Sequence, residues 1–282
     1  MAATLTSVRE IEREITSLRV APGSDAPYQR TSVMTHMAWV PEEWVEAALN
    51  TLEGLAERHP SRTIVLVPDG GAEDGLEAAV DVDCFPSGDE RQVCVETIRV
   101  RLCGSRAGVP ASVVQPLLLP DLPVFLRWRG LPPFGEQPFE ELLEVVDRLI
   151  VDSTEWPRLP GDYAALVEIF DRVAVSDIAW ARTSRWRPHL ASLWPGIAGV
   201  ARIKVTGTAA QAHLLAGWLR SRLGHDVGLE HEPEDKLVGV DLDGEPASLP
   251  PGEAPNPSDL LSDELDRFSR DRVYEEAVRA AV

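Results

Sequence analysis

The chain is poor in the residues and spacings that announce chemistry. Its 282 residues include only three cysteines, Cys84, Cys94 and Cys103. They are too few and too unevenly spaced for a disulfide framework, and no Cys-x-x-Cys pair exists. The six histidines are scattered. None forms a His-x-x-x-His or His-Glu-x-x-His pattern that would set two ligands on one helix face, so no metal is expected. There is no Gly-x-Gly-x-x-Gly turn for a dinucleotide and no Gly-x-Ser-x-Gly elbow for a serine nucleophile, and no cofactor is implied. Glu140 with Glu141, and Glu275 with Glu276, are consecutive on helices, face different directions and read as solvated surface. No apolar run approaches the ~20 residues of a bilayer span. The first residues lack the basic segment and apolar core of a secretory leader, so a cytoplasmic location is expected. Positive charge is also scarce: 27 Lys and Arg against 46 Asp and Glu leave a net charge of −19. Such a chain repels phosphate backbones and anionic head groups, which argues against nucleic-acid and membrane partners.

What is present is alternation of helical and strand periods. An amphipathic segment, Leu5 to Leu18, precedes a Pro- and Gly-bearing loop, Ala21 to Gln29. A strand from Thr31 to Val40, a helix from Glu42 to Arg58 opened by Pro41, and a strand from Thr63 to Val67 make a βαβ unit, which implies a parallel pair. The strands Leu76–Phe85 and Val93–Cys103, joined by a turn containing Ser87, Gly88 and Asp89, read as an antiparallel hairpin. Further helices near Ala111–Leu119, Phe139–Val146 and Tyr163–Val173 alternate with strands at Val124–Trp128 and Leu149–Val151. At Gly199 the pattern restarts with strand Val200–Thr206, helix Thr208–Leu223 and strands near Val227–His231 and Leu237–Leu242. The expected fold is therefore α/β: two similar mixed α/β units, a largely parallel sheet with an antiparallel hairpin, and a C-terminal helix. A domain of residues 1–195 would precede a smaller one of 196–282. After a proline-rich linker, Pro246 to Pro257, Ser258 is the expected cap of a helix with Leu261, Leu265 and Phe268 on its apolar stripe.

In the hairpin, a turn centred on Asp89 places Cys84 opposite Cys94 on the apolar face. Two buried, reduced thiols are the expectation and a redox pair the alternative. Cys103, sharing a face with Arg99 and Arg101, is the more accessible. Glu96 is the exception on the apolar face of its strand.

Four places hold candidate binding residues. In LPDLPVFLRWRG, Leu119–Gly130, alternation buries Val124, Leu126 and Trp128 and turns Arg127 and Arg129 the other way. Asp152 and Ser153 end the strand reading DRLIVDS, where ligands of open α/β sheets collect. Trp180, Arg182, Arg185 and Trp186 follow. They form either an interface or a helix start with Asp caps and inward tryptophans, and Arg182 and Trp186 are spaced to stack on one helix face. Ser61 and Arg62 in HPSRTIVLVP present a weak anion site. The competing reading is a helix end, with His59 complementing the dipole and Pro60 stopping the helix.

Together, LPDLPVFLRWRG, DRLIVDS, HPSRTIVLVP and DIAWARTSRWRPHL (Asp177–Leu190) resemble the OpcA family of glucose-6-phosphate dehydrogenase assembly proteins, over about Arg30 to Leu242. The resemblance implies a non-catalytic partner of glucose-6-phosphate dehydrogenase that promotes its active state in the oxidative pentose phosphate pathway. It assigns no catalytic residue. The alternative is a sugar-phosphate-binding module or enzyme of that pathway, with Arg62, Arg127, Arg129 and Arg182 as its anion ligands.

Overall fold

A computed structural model describes residues 4–19, 28–29, 32–53, 55, 58–86, 92–250, 252 and 256–282. The chain divides into two compact units, Met1–Leu149 and Ile150–Val282.

Unit 1 runs α1 (Val8–Arg19), β1 (Tyr28–Gln29), β2 (Met34–Trp39), α2 (Val45–Glu53), β3 (Ser61–Asp69), β4 (Gly75–Pro86), β5 (Gln92–Cys103), α3 (Ala111–Val114), β6 (Val124–Trp128) and α4 (Gln137–Leu143). The unit boundary falls inside β7 (Arg148–Val151). The strand order is β1-β5-β3-β2-β6, with β4 pairing β5. All of these pairs are parallel except β4–β5, as the βαβ and hairpin signals require. Register then sets two faces. Met37 and Trp39 lie beside Leu126 and Trp128; Trp39 stacks on Trp128 at 4.7 Å, and Phe139 of α4 meets Trp128 edge-on at 5.2 Å. On the other face α2 covers Ala38, Val65 and Val67 with Ala48 and the partly buried Trp44, Val45, Leu49 and Leu52. The helix expected from Glu42 to Arg58 opens as a 3-10 turn, Glu42–Trp44, and α2 ends at Glu53; residues 54, 56 and 57 lie outside the described residues, as do the turn Ser87–Asp89 and residues 21–27.

Unit 2 continues with α5 (Tyr163–Val167), β8 (Ala174–Asp177), α6 (Ile178–Ala181), α7 (Trp186–Ala191), β9 (Arg202–Gly207), α8 (Ala209–Leu223), β10 (Gly228–Pro233), β11 (Gly239–Leu242), β12 (Glu245–Pro246), α9 (Pro257–Leu265) and α10 (Arg272–Ala281). β9 and β10 are parallel and β11 is antiparallel to β9. Thr208 and Gln211 form a capping box at the start of α8, and Gly224, at φ 72°, ends it. Only glycine takes that left-handed angle without strain. Both units thus contain adjacent parallel strands around a helix, β2-α2-β3 and β9-α8-β10. They diverge at the next strand, because β4 pairs with β5 whereas β11 returns to β9.

The division at Leu149, rather than near residue 195, has a packing cause. α5 lies against α10, and α6 lies against α8 and α9, so residues 150–195 share a core with the C-terminal helices. Those helices also correct three expectations. Asn256, not Ser258, caps α9, its side chain accepting from Asp259 N at 2.9 Å, and Phe268 is exposed rather than on the stripe. The terminal helix α10 carries Tyr274, Ala277 and Val278 into the core. Glu275, expected at the surface, is buried and bonded by Arg270 at 2.7 Å.

Candidate functional site

The polar side chains of unit 2 converge where β7 and β8 end. Asp177, the last residue of β8, is fully buried and caps α6, its Oδ1 accepting from Ala179 N at 2.8 Å and Ser153 N at 3.0 Å. Its Oδ2 accepts from Ser153 Oγ at 2.6 Å and Tyr274 Oη at 3.2 Å. With its one proton committed to Asp177, Ser153 Oγ accepts from Tyr163 Oη at 3.0 Å. Burial, helped by the nearby Asp152, pushes the Asp177 carboxyl up to about 6. Burial and the same carboxylate push both tyrosines well above 10, so they remain donors.

Around this cluster Asp152 caps the 3-10 turn Ser153–Glu155 and accepts from Thr154 Oγ1 at 2.6 Å and Arg182 Nη1 at 2.8 Å. Trp180 donates Nε1 to Asp271 at 2.9 Å, with the Arg187 guanidinium 3.6 Å above its ring. Desolvation pulls Arg187 down to about 10. The expected stacking of Arg182 on Trp186 does not occur: the helix breaks between Ala181 and Trp186, Arg182 turns to Asp152, and Trp186 packs edge-on to His189. Arg185 donates to the carbonyls of Pro250 and Gly252. Of the two readings open from sequence, Asp caps and inward tryptophans are what the geometry holds. Ser153, Tyr163, Asp177 and Tyr274 are sealed from solvent. They can fix strand ends and donate or accept a proton among themselves, but they present no nucleophile to a substrate.

In unit 1, Arg127 is 8% exposed and donates to Trp128 O at 3.1 Å, while Trp128 is buried in the aromatic stack. Arg129 is half-buried, its guanidinium 4.6 Å from the Trp44 ring. Alternation placed the two arginines correctly on the face opposite Leu126, but α2 and its neighbours make that side a covered layer. The anion reading of Ser61 and Arg62 is also corrected. Arg62 donates Nε to Glu96 at 2.8 Å and Nη1 to Leu117 O at 2.7 Å, while Ser61 Oγ meets Thr63 Oγ1 at 3.2 Å. Register explains Glu96, since Arg62 is its direct cross-strand neighbour.

An open groove of about 310 Å³ beside α2 is lined by Glu42, Val45, Val67, Glu77, Arg99 and Arg101. Its arginines are already held, Arg101 by Glu42 at 2.6 Å and Asp69 at 2.7 Å, and Arg99 by Asp81 at 3.1 Å. The backbone sets Cys84 opposite Cys94, as expected, but Cys94 is disulfide-bonded rather than reduced. The Cys84 side chain lies outside the described residues. Cys103 is free and buried, not accessible, and burial raises its pKa. His36, unremarked in the sequence, is buried on β2 with Nε2 unbonded; burial, then Arg127 and His59, lower its pKa to about 4. Among the described residues no three His, Cys, Asp or Glu are grouped to hold a metal ion, and no helix is long and apolar enough to cross a membrane.

Fold and site together define a mixed α/β protein in which the described polar groups at the ends of β7 and β8 are engaged with one another. Residues 53–168 match the family described as glucose-6-phosphate dehydrogenase subunit N-terminal domain, and residues 173–249 match its C-terminal domain. The chain belongs to the OpcA family. A "Putative OxPP cycle protein OpcA" of Nostoc punctiforme is 29% identical over 183 residues, covering 60% of this chain and 39% of that protein. Its namesake in Synechococcus elongatus is 26% identical over 225 residues, 70% of this chain and 50% of the relative. The chain spans 39% and 50% of the length of these two relatives.

Proposed function

We propose that this protein is a non-catalytic assembly or activating partner of glucose-6-phosphate dehydrogenase in the oxidative pentose phosphate pathway, working in the cytoplasm. The observation that carries this reading is the match to both domains of a family described as a dehydrogenase subunit. The interior agrees with it: Ser153 and Asp177, at the ends of β7 and β8, are sealed and hydrogen-bonded on each side-chain oxygen. The alternative sugar-phosphate module loses support, because Arg62 and Arg182, two of its four expected anion ligands, already face carboxylates.

The test combines the purified chain with the dehydrogenase of the same organism. Co-elution at a larger mass and a rise in dehydrogenase rate are expected, with no turnover of glucose 6-phosphate by the chain alone. Independent elution and an unchanged rate at micromolar concentrations would remove the proposal.

A further inference from the structure

The loop that follows α7 is unlike the rest of the surface. Ala191, Ser192, Leu193, Trp194, Pro195 and Gly196 are all exposed. Trp194 is 65% and Leu193 40% exposed. In a chain of net charge −19, the 48 residues from Ile178 to His225 contain no Asp or Glu, and Leu190–Ala201 contains no charge at all. Four cations of the wider stretch are paired by acids from outside it, Arg182 by Asp152, Lys204 by Glu232, Arg220 by Asp226 and Arg222 by Glu276.

The loop is also held in shape. Trp194 N donates to Ala191 O at 3.2 Å, Leu193 N to Leu190 O at 3.1 Å and Ile197 N to Leu193 O at 3.3 Å. Beneath it Ile197 is buried, and Ser192 Oγ donates to His189 O at 2.6 Å. A second exposed apolar side chain is tied to the same helix. Leu249, 71% exposed, lies between Ser248, bonded to His189, and Pro250, whose carbonyl accepts from Arg185.

An exposed tryptophan on a pre-ordered, uncharged loop has the composition of a binding hot spot, and little conformational entropy remains to be lost when it docks. The absence of carboxylates removes the self-repulsion that the rest of this acidic chain would offer an acidic protein surface. We propose that Trp194, supported by Leu193 and Leu249, is the anchor that inserts into an apolar pocket of the dehydrogenase. This inference rests on the function proposed above, and its residues fall within the matched range 173–249 or at its edge.

The experiment measures affinity of the full chain for the dehydrogenase by interferometry, with melting temperature and light scattering on each variant. Trp194→Ala is expected to weaken binding at least tenfold and Trp194→Phe by less. Both should melt within about 2 °C of wild type, as for exposed positions. Val238→Ser, at another exposed apolar site, should bind within twofold of wild type. Wild-type affinity in Trp194→Ala would overturn the anchor while leaving the proposed function standing. Failure of the wild type to bind overturns both. Wild-type self-association abolished by Trp194→Ala, with dehydrogenase affinity unchanged, would assign the loop to a second copy and overturn the inference.

Discussion

Arg62 and Glu96 face one another directly across β3 and β5, 2.8 Å apart, with Glu96 1% exposed. The pair lies on the same side of the sheet as Ile64 and Ile98, in a largely apolar layer that also holds Thr35 beside Arg62. Each charge there is tolerable chiefly because of the other. Arg62→Met should therefore destabilise unit 1 by about 3–5 kcal/mol in urea titration, since it removes the cation that pairs with a buried carboxylate. Adding Glu96→Leu to that variant should recover most of the loss. A single-variant cost below about 1 kcal/mol would mean that water reaches Glu96.

Burial raises Asp177 to about 6, above its unfolded value. The folded state then holds a proton that the unfolded chain releases between about pH 4 and pH 6. The stability this group contributes is full below pH 4 and is lost as pH rises through 6. Asp177→Asn keeps an acceptor for Ser153 N and Ala179 N and cannot ionise. Its stability relative to wild type should rise across that window by about 2–3 kcal/mol. A pH-independent difference would rule out the raised value.

Gly217 of α8 sits where α10 crosses: a Cβ there would lie 2.1 Å from the Ala277 carbonyl oxygen and 3.0 Å from Ala281. Glycine to alanine inside a helix ordinarily stabilises by about 0.5–1 kcal/mol. Here the clash is with backbone that cannot swing away, so the sign should reverse. Gly217→Ala should cost about 1–3 kcal/mol and speed proteolysis within α10. A gain in stability would show that the two helices are not docked as described.

Arg127 and Arg129 separate by burial. Arg127→Ala should lower unfolding free energy by about 2 kcal/mol or more, because a buried guanidinium and its packing are removed together. Arg129→Ala loses a half-exposed cation–π contact with Trp44, worth about 0.5–1 kcal/mol. Equal effects would refute that distinction.

The sequence carried the local rules well. The restarting pattern placed α8 at Thr208–Leu223, alternation assigned the faces of β6, and the hairpin set Cys84 opposite Cys94. What it concealed are relations made by distance along the chain. Tyr274 reaches Asp177 across 97 positions, and no period or spacing links such residues. β8, only Ala174–Asp177, is too short to show a period, so the strand that delivers Asp177 went unseen. A helix at Glu275 and Glu276 is legible, but not its buried face, because the inward side of α10 relies on alanines beside Tyr274 and Val278, a weak hydrophobic signal made tight by Gly217. The acid-free stretch around Trp194 was legible all along, as an absence rather than a motif.

α10 brings the last of the donors to Asp177 and covers the side of α8 at Gly217. During synthesis both tasks must wait. The nascent chain can pair β9 with β10 around α8 well before Tyr274 has left the ribosome, with α8 bare on one side and Asp177 short of a partner. Unit 2 is therefore a late-closing body whose apolar helix face stays open for the length of chain from Leu223 to Arg272, a vectorial delay that unit 1, complete by Leu149, does not share.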